Sequence, residues 1–275
     1  MKRQFSLAHL TVLNCAPPEM TYLAARTGYD FVSLRFIPLG GAGEPIYSPN
    51  DKDMLRRTKA AIADTGVKML DVELARIVAG VDFKTYLPGL EAAAELGARH
   101  VISSAWTTDR SDRNFLVDCF GQLCDLAKPL GLTVDLEFML FSRLITLAEA
   151  ADVVRAAGRE NGGIMIDTLH MHSSRVALKE LDALPRQWFH MAHLCDGPKD
   201  IPTTREGLIQ VAREARLYVG EGGVDIAGML DRMPPIPCSI ELPNKQRVAE
   251  YGYEEHARRC LQAAKRYLEA RQPVG

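Results

Sequence analysis

Between residues 133 and 171 the chain reads TVDLEFML at Thr133–Leu140 and GIMIDTLHM at Gly163–Met171. These are two apolar, β-rich runs separated by a longer segment with apolar residues at helical spacing. Each run is interrupted late by a single acid, Glu137 in the first and Asp167 in the second. Working outward in both directions, the same alternation continues to the two ends. Strands are expected at Phe5–Leu13, Phe31–Phe36, Lys68–Ile77, His100–Trp106, Thr133–Leu140, Gly163–Met171, Met191–Cys195 and Cys238–Leu242. Helical patterns lie between them, clearest at Leu87–Gly97 and Phe115–Leu130, and a last helix is expected over about Glu254–Ala270. Gly28, Gly66, Gly97 and Gly131 each follow a helical run and precede a strand, where a left-handed cap needs glycine. Eight strands in strict alternation with helices imply parallel pairing through right-handed crossovers. The expected fold class is therefore α/β, a single (β/α)8 TIM barrel spanning residues 1–275.

A doubly wound open sheet would also alternate, but it usually offers a glycine-rich phosphate loop after its first strand, and none is present. The GGAG stretch at Gly40–Gly43 follows the second strand without the downstream residues of a nucleotide fingerprint. It is read as part of a flexible loop over the barrel mouth. No linker or composition break divides the chain. The longest irregular pieces, Ile37–Pro49 and Asp196–Thr204, follow strands directly, on what would be the catalytic face of a barrel.

Composition narrows the function classes. A hydrophobic share of 47% with 25% charged residues suits a soluble globular protein with a large core. A formal net charge of −2 gives no general attraction for nucleic acid or anionic lipid. No stretch is long and apolar enough to cross a bilayer. The basic, then apolar, N-terminus imitates a signal peptide, but His9 and Asn14 interrupt it and it reads as a first strand. Six cysteines without a CxxC pair point to reduced thiols and a cytoplasmic protein. Cys195 and Cys238, near the proposed site, read as small buried filler.

In a barrel of this kind, a polar residue at the C-terminal end of a strand points into the mouth. Four residues satisfy that rule: Glu137, Asp167, His193 in HMAHLCDG and Glu241 in CSIELPN, on the fifth to eighth strands. Three carboxylates converging in apolar surroundings repel one another and raise each other's pKa values. One divalent ion removes that conflict, and imidazole with carboxylates suits Mn²⁺, Mg²⁺, Co²⁺ or Zn²⁺. The competing reading pairs each acid with a separate arginine or lysine at the rim. Positive charge is available there. Arg35 and Arg76 close the second and third strands, and Lys199 and Arg205 lie in the loop after His193. Each could hold a substrate carboxylate or phosphate, or simply pair with Glu73 or Asp196. His172 and His190 read as structural.

Four further motifs carry a family resemblance over nearly the whole chain: IDTLHMHS with its D-x-x-H pattern, HLCDGP, GEGGVDIAGML at Gly220–Leu230, and the IEL of the eighth strand. They resemble the xylose isomerase-like TIM-barrel superfamily, the sugar phosphate isomerases and epimerases. That group includes ketose 3-epimerases, hydroxypyruvate isomerases, inositol-catabolism enzymes, dehydratases and type IV endonucleases. The resemblance implies that Glu137, Asp167, His193 and Glu241 are the four ligands of one divalent metal and that His170 reaches the substrate. On its own position, three residues beyond Asp167, His170 could equally donate to a neighbouring carbonyl. The resemblance further implies Glu137 and Glu241 as the acid/base pair of an isomerase or epimerase, working through a metal-stabilised enediolate on a sugar, sugar phosphate, polyol or keto-acid.

One departure is informative. Ketose 3-epimerases carry another glutamate shortly after the fifth-strand ligand, whereas Glu137 is followed by FMLFSRL, without an acid. That weighs against free-ketose epimerisation. A metal-dependent dehydratase of a keto-cyclitol or dehydroshikimate-like acid is the first alternative, with Arg76 suited to a carboxylate. A non-catalytic sugar-binding barrel is a second. An endonuclease fits poorly, because among the early strands only His9 is available as an extra ligand, and the charge balance supplies no DNA-binding surface. The expected partner is a small carbohydrate or keto-acid, and barrels of this group commonly form homo-oligomers.

Overall fold

A computed structural model of the chain describes residues 3–37, 44–108 and 112–270. The Gly40–Gly43 loop lies outside these described residues. Eight parallel strands close in sequence order: β1 Phe5–Ala8, β2 Phe31–Leu34, β3 Lys68–Ile77, β4 His100–Ala105, β5 Thr133–Glu137, β6 Gly162–Asp167, β7 Ala192–Leu194 and β8 Cys238–Ile240. The ring is completed by β8 beside β1, with Phe5, Ser6 and Leu7 opposite Cys238, Ser239 and Ile240. The helices around it are α1 Pro17–Thr27, α2 Lys52–Thr65, α3 Leu87–Glu95, α4 Arg113–Ala127, α5 Leu147–Ala157, α6 Thr168–Ser173, α7 Lys179–Asp182, α8 Arg205–Glu214, α9 Ile226–Arg232 and α10 Lys245–Glu269. The fold is the (β/α)8 barrel expected from the alternation.

Side chains alternate along each strand, so one set faces the helices and the other fills the barrel. The outward set, with Leu7, Val32, Leu34, Val134, Leu136 and Ile240, merges with the helices into one continuous apolar core. The inward set is mixed. Leu70, Ile102, Met165 and Met191 form a small apolar plug. Around it lie the buried polar residues Ser6, Ser33, Asp71, Asp135 and Ser239. Ser6 and Ser33 hydroxyls meet at 2.8 Å, Ser33 donates to Asp71, and Ser33 and Ser239 lie 3.1 Å apart. The interior is thus a packed column that carries polar chains upward to the mouth.

Most strands end earlier than the apolar pattern suggests, two of them for a visible local reason. The first stops at Ala8 rather than Leu13, and His9–Val12 turn as a 3₁₀ helix. The buried His9 ring accepts from the Arg35 amide at Nδ1 and bonds the Cys15 carbonyl at Nε2, while Thr11 donates to Ile240 O and accepts from the Leu242 amide. Those bonds satisfy a turn, not a ladder. The sixth strand stops at Asp167, because its Oδ1 accepts from the amides of Leu169 and His170 and starts α6. His172 therefore sits on a helix, not in a loop. Strand five ends at Glu137 instead of Leu140, strands two, four, seven and eight are one or two residues shorter at one or both ends, and α10 begins at Lys245, nine residues before the expected start. The glycine caps hold: Gly28, Gly66, Gly97 and Gly131 all adopt positive φ.

Candidate active site

The end of the barrel at the C-termini of the strands gathers the four residues singled out by the strand-end rule. Glu137 and Asp167 close β5 and β6, Glu241 directly follows β8, and His193 sits on β7. All are buried, with His193 only 2% exposed. His193 Nδ1 is their centre: it lies 3.8 Å from Glu137 Oε1, 3.8 Å from Asp167 Oδ2 and 3.3 Å from Glu241 Oε2. Neither ring nitrogen of His193 makes a hydrogen bond.

A fourth acid and an arginine complete the cluster, and neither was expected in it. Glu73, on β3, has one donor atom within 4.8 Å of donor atoms on both His193 and Glu241. Its Oε2 accepts from Arg35 Nε at 2.9 Å, whereas Oε1 is buried without a partner. Arg216 reaches in from the segment after α8. Its Nη1 donates to Asp167 Oδ2 at 2.6 Å and its Nη2 lies 2.8 Å from Glu241 Oε2. Its Nε is anchored on Ala212 O. The strand-end rule could not find Arg216, because it stands on no strand. The one usable hint was electrostatic: three buried acids need permanent positive charge nearby.

The resemblance motifs explain how Arg216 is held. Asp196 of HLCDGP accepts at Oδ1 from the amides of Gly197 and Val224, and at Oδ2 from those of Gly220 and Gly222. One carboxylate thereby fastens the glycine-rich GEGGVD turn beneath the end of β7. The backbone of Leu217 pairs with Asp196 and Ala215 with Asn244, which fixes the residue between them. HLCDGP and GEGGVD are one piece of structure whose product is a buried guanidinium.

Proton affinities reflect the crowding. Burial favours a neutral His193 ring, yet Glu241, Glu137 and Asp167 outweigh it and push its pKa up to about 10. Burial, with further push from Asp167 and Glu241, takes Glu137 up to about 8 against the pull of His193. Glu241 goes the other way: burial opposes ionisation, but His193 and Arg216 hold it well below the ordinary carboxylate range. Asp167 is likewise lowered despite its burial, chiefly by Arg216. With every carboxylate ionised and His193 neutral, as ligation of a cation requires, Glu73, Glu137, Asp167 and Glu241 exceed the guanidiniums of Arg35 and Arg216 by two charges; protons on His193 and Glu137 otherwise make up that difference. Oxygen donors, an imidazole free at both nitrogens and an excess of two charges fit a divalent ion of the Mn²⁺, Mg²⁺, Co²⁺ or Zn²⁺ kind.

Above the cluster opens a small cavity of about 60 Å³. Its lining combines charged residues, Arg35, Glu73, Glu137, His193, Arg216 and Glu241, with apolar ones, Leu10, Leu74, Ile102, Trp106, Met139 and Phe141. His170 faces it too, its ring set edge-on to Phe141 and its Nε2 3.8 Å from Asp167 Oδ2. Burial lowers the His170 pKa to about 4, so the ring is neutral near pH 7. Of the four cationic residues expected at the mouth, Arg35 lines the cavity, paired with Glu73. Arg76, Lys199 and Arg205 do not line it. Arg76 lies on β3, its carbonyl accepting from Tyr86, Lys199 is exposed in the loop after β7, and Arg205 starts α8 and reaches Phe141 O at 3.4 Å.

A closed parallel barrel with acids and a histidine converging at its C-terminal rim is the class of protein these observations define. Residues 22–264 match the family described as Xylose isomerase-like TIM barrel, and the chain belongs to that family. It is similar to inosose isomerase of Bacillus velezensis, 25% identical over 188 residues that make up 66% of this chain and 65% of that protein. The alignment therefore spans just under two thirds of the relative's length. It is also similar to 3-dehydroshikimate dehydratase of Pseudomonas aeruginosa, 28% identical over 116 residues, 42% of this chain and 18% of that one. In fold it resembles a zinc-bound crystal structure of IolI protein, with a TM-score of 0.80 at 19% identity over 98% of this chain and 100% of that one.

Proposed function

We propose that the chain is a divalent-metal-dependent enzyme that isomerises or epimerises a small polyhydroxy ketone or keto-acid by moving a proton between carbons. The observation that carries this reading is His193, buried, unpartnered at both nitrogens and ringed by carboxylates whose charge the local arginines do not balance. Glu137, Asp167, His193 and Glu241 would hold the ion. When bound, it supplies electrostatic stabilisation of the charge that develops as a C–H beside a carbonyl is broken.

The chain's own residues do the rest. Glu137 and Glu241, whose oxygens lie 3.8 and 3.3 Å from His193 Nδ1, would be the acid/base pair. Glu241 is suited to take the proton and Glu137 to return one. Neutral His170 can hydrogen-bond a substrate hydroxyl, and the Trp106–Phe141 side offers an apolar surface to the C–H face of a ring. The likeness to inosose isomerase favours a keto-cyclitol. Arg205 and Lys199, at or beyond the rim, would contact only a longer or charged substrate.

The dehydratase likeness supports a second reading, elimination of water from a related keto-compound by the same base. One experiment addresses both. Metal-loaded protein is incubated in D₂O with keto-inositols, ketohexoses and 3-dehydroshikimate and followed by NMR and ultraviolet absorbance. Deuterium entering a carbon beside the carbonyl, without new absorbance, is the expected result. A conjugated ultraviolet product favours elimination instead. Absence of both across the panel, with metal bound, counts against proton-transfer chemistry.

A further inference from the structure

The opposite end of the barrel carries a second set of metal-ligating side chains. We propose that His100, Asp135 and His190 form a separate site for one imidazole-preferring divalent ion, such as Zn²⁺, at the N-terminal base of the barrel. One donor atom from each of the three lies within 4.8 Å of the others. His100 opens β4, Asp135 is inside β5, and His190 stands just before β7, so the group joins three parts of the ring.

The contacts within the group show which atoms face one another. His190 Nδ1 lies 2.6 Å from Asp135 Oδ1, and His100 Nδ1 lies 2.8 Å from the Thr133 hydroxyl. An ion ligated by all three would take the place of the proton between His190 Nδ1 and Asp135 Oδ1, because a carboxylate that stays on Nδ1 cannot reach an ion on the far nitrogen of the same ring. The two rings lie face to face, 14° from parallel with centroids 5.6 Å apart, and both residues are half-buried, within reach of solvent. Asp135 is fully buried, and its Oδ2 has no partner at all. The space is kept clear by Gly163: a Cβ there would stand 2.6 Å from His190 Nδ1 and closer still to Asp135 Oδ1.

Two imidazoles and a carboxylate select Zn²⁺, Ni²⁺ or Cu²⁺ over Mg²⁺ or Ca²⁺. Barrel chemistry sits at the other end, so an ion here would act on stability, tying β4, β5 and the approach to β7 in the native state only. The site stands independently of the function proposed for the mouth.

The test is the number and position of zinc ions in the full chain. Chelator-stripped protein is equilibrated with one to four equivalents of Zn²⁺, zinc is counted after desalting, and crystals are examined at the zinc absorption edge. An anomalous peak between His100 and His190 is expected, with one equivalent fewer in His100→Gln and His190→Gln than in wild type. A peak at the mouth alone, or equal zinc content in wild type and both variants, overturns the proposal. A peak at the base alone upholds it while counting against the metal-dependent reading of the mouth. Because the crystal measurement uses wild-type protein, it decides the matter even where a variant folds poorly.

Discussion

The mouth and the base of this barrel are built from the same strands two or three residues apart, yet they treat charge differently. Glu137 stands two residues beyond Asp135 on β5, Glu73 two beyond Asp71 on β3, and His193 three beyond His190. Toward the base each polar side chain has a partner, Asp135 with His190, His100 with Thr133 and Asp71 with Ser33, although Asp71 Oδ1 and Asp135 Oδ2 make no hydrogen bond. Asp71 is further relieved by burial, which with the charge of Glu73 raises its pKa well above the ordinary value and favours the neutral acid. At the mouth, acids outnumber the arginines, and His193 stands among three carboxylates without making a hydrogen bond. Alternation along a strand fixes which residues face inward. The surplus of charge at one end marks where the chemistry is expected.

The sharpest way to break this contrast is Glu241→Gln, which keeps the shape and removes one charge. Loss of a positioned base is expected to cut turnover roughly 10²–10⁴-fold, measured by deuterium exchange, with the fold intact by circular dichroism. Near-normal exchange would remove the acid/base pairing. Arg216→Met acts on stability. It strands Asp167 and Glu241 as buried charges, and removing one partner of a buried pair costs about 3–5 kcal/mol. At roughly 2–4 °C per kcal/mol for a chain of this size, the metal-free Tm should fall by about 6–20 °C, and added Mn²⁺ or Zn²⁺ should recover part of the fall. At the base, Gly163→Ala should cost about 1–3 kcal/mol through the clash with the Asp135–His190 pair, read as a lowered Tm with kcat unchanged. A fall in kcat there would mean that the two ends are coupled.

Strand order and the four inward residues of the mouth were legible because both depend on period and position. An acid late in an apolar run is visible in VDLE and IMID, and closure of the barrel brings such positions together. Three things were not legible. Asp167 capping α6 truncates a run that looks strand-like through Met171, since a cap depends on side-chain rotamer rather than pattern. Arg216 reaches the site from a connection, at a distance along the chain that no spacing rule encodes. Arg76, by contrast, stands at a strand end as Arg35 does but does not line the cavity, so strand position alone did not separate the two.

The smallest effect concerns pH at the base. Burial disfavours a charged His190, but its hydrogen bond to Asp135 and that carboxylate's charge outweigh burial and raise its pKa above the usual histidine value of 6.5. A group whose folded pKa is raised contributes stability that is complete below the unfolded value and is lost as pH rises through the folded value. In metal-free buffer, wild type should therefore be more stable than His190→Gln by most near pH 5.5–6, with the gap narrowing as pH passes above about 6.5. Measuring both Tm values from pH 5.5 to 9 gives the trend directly. A gap that stays constant would assign the contact to packing alone, and one that widens with pH would mean that His190 is held neutral. Either result would erase the proposed charge pairing at the base and leave the mouth as the one end of the barrel where charge decides behaviour.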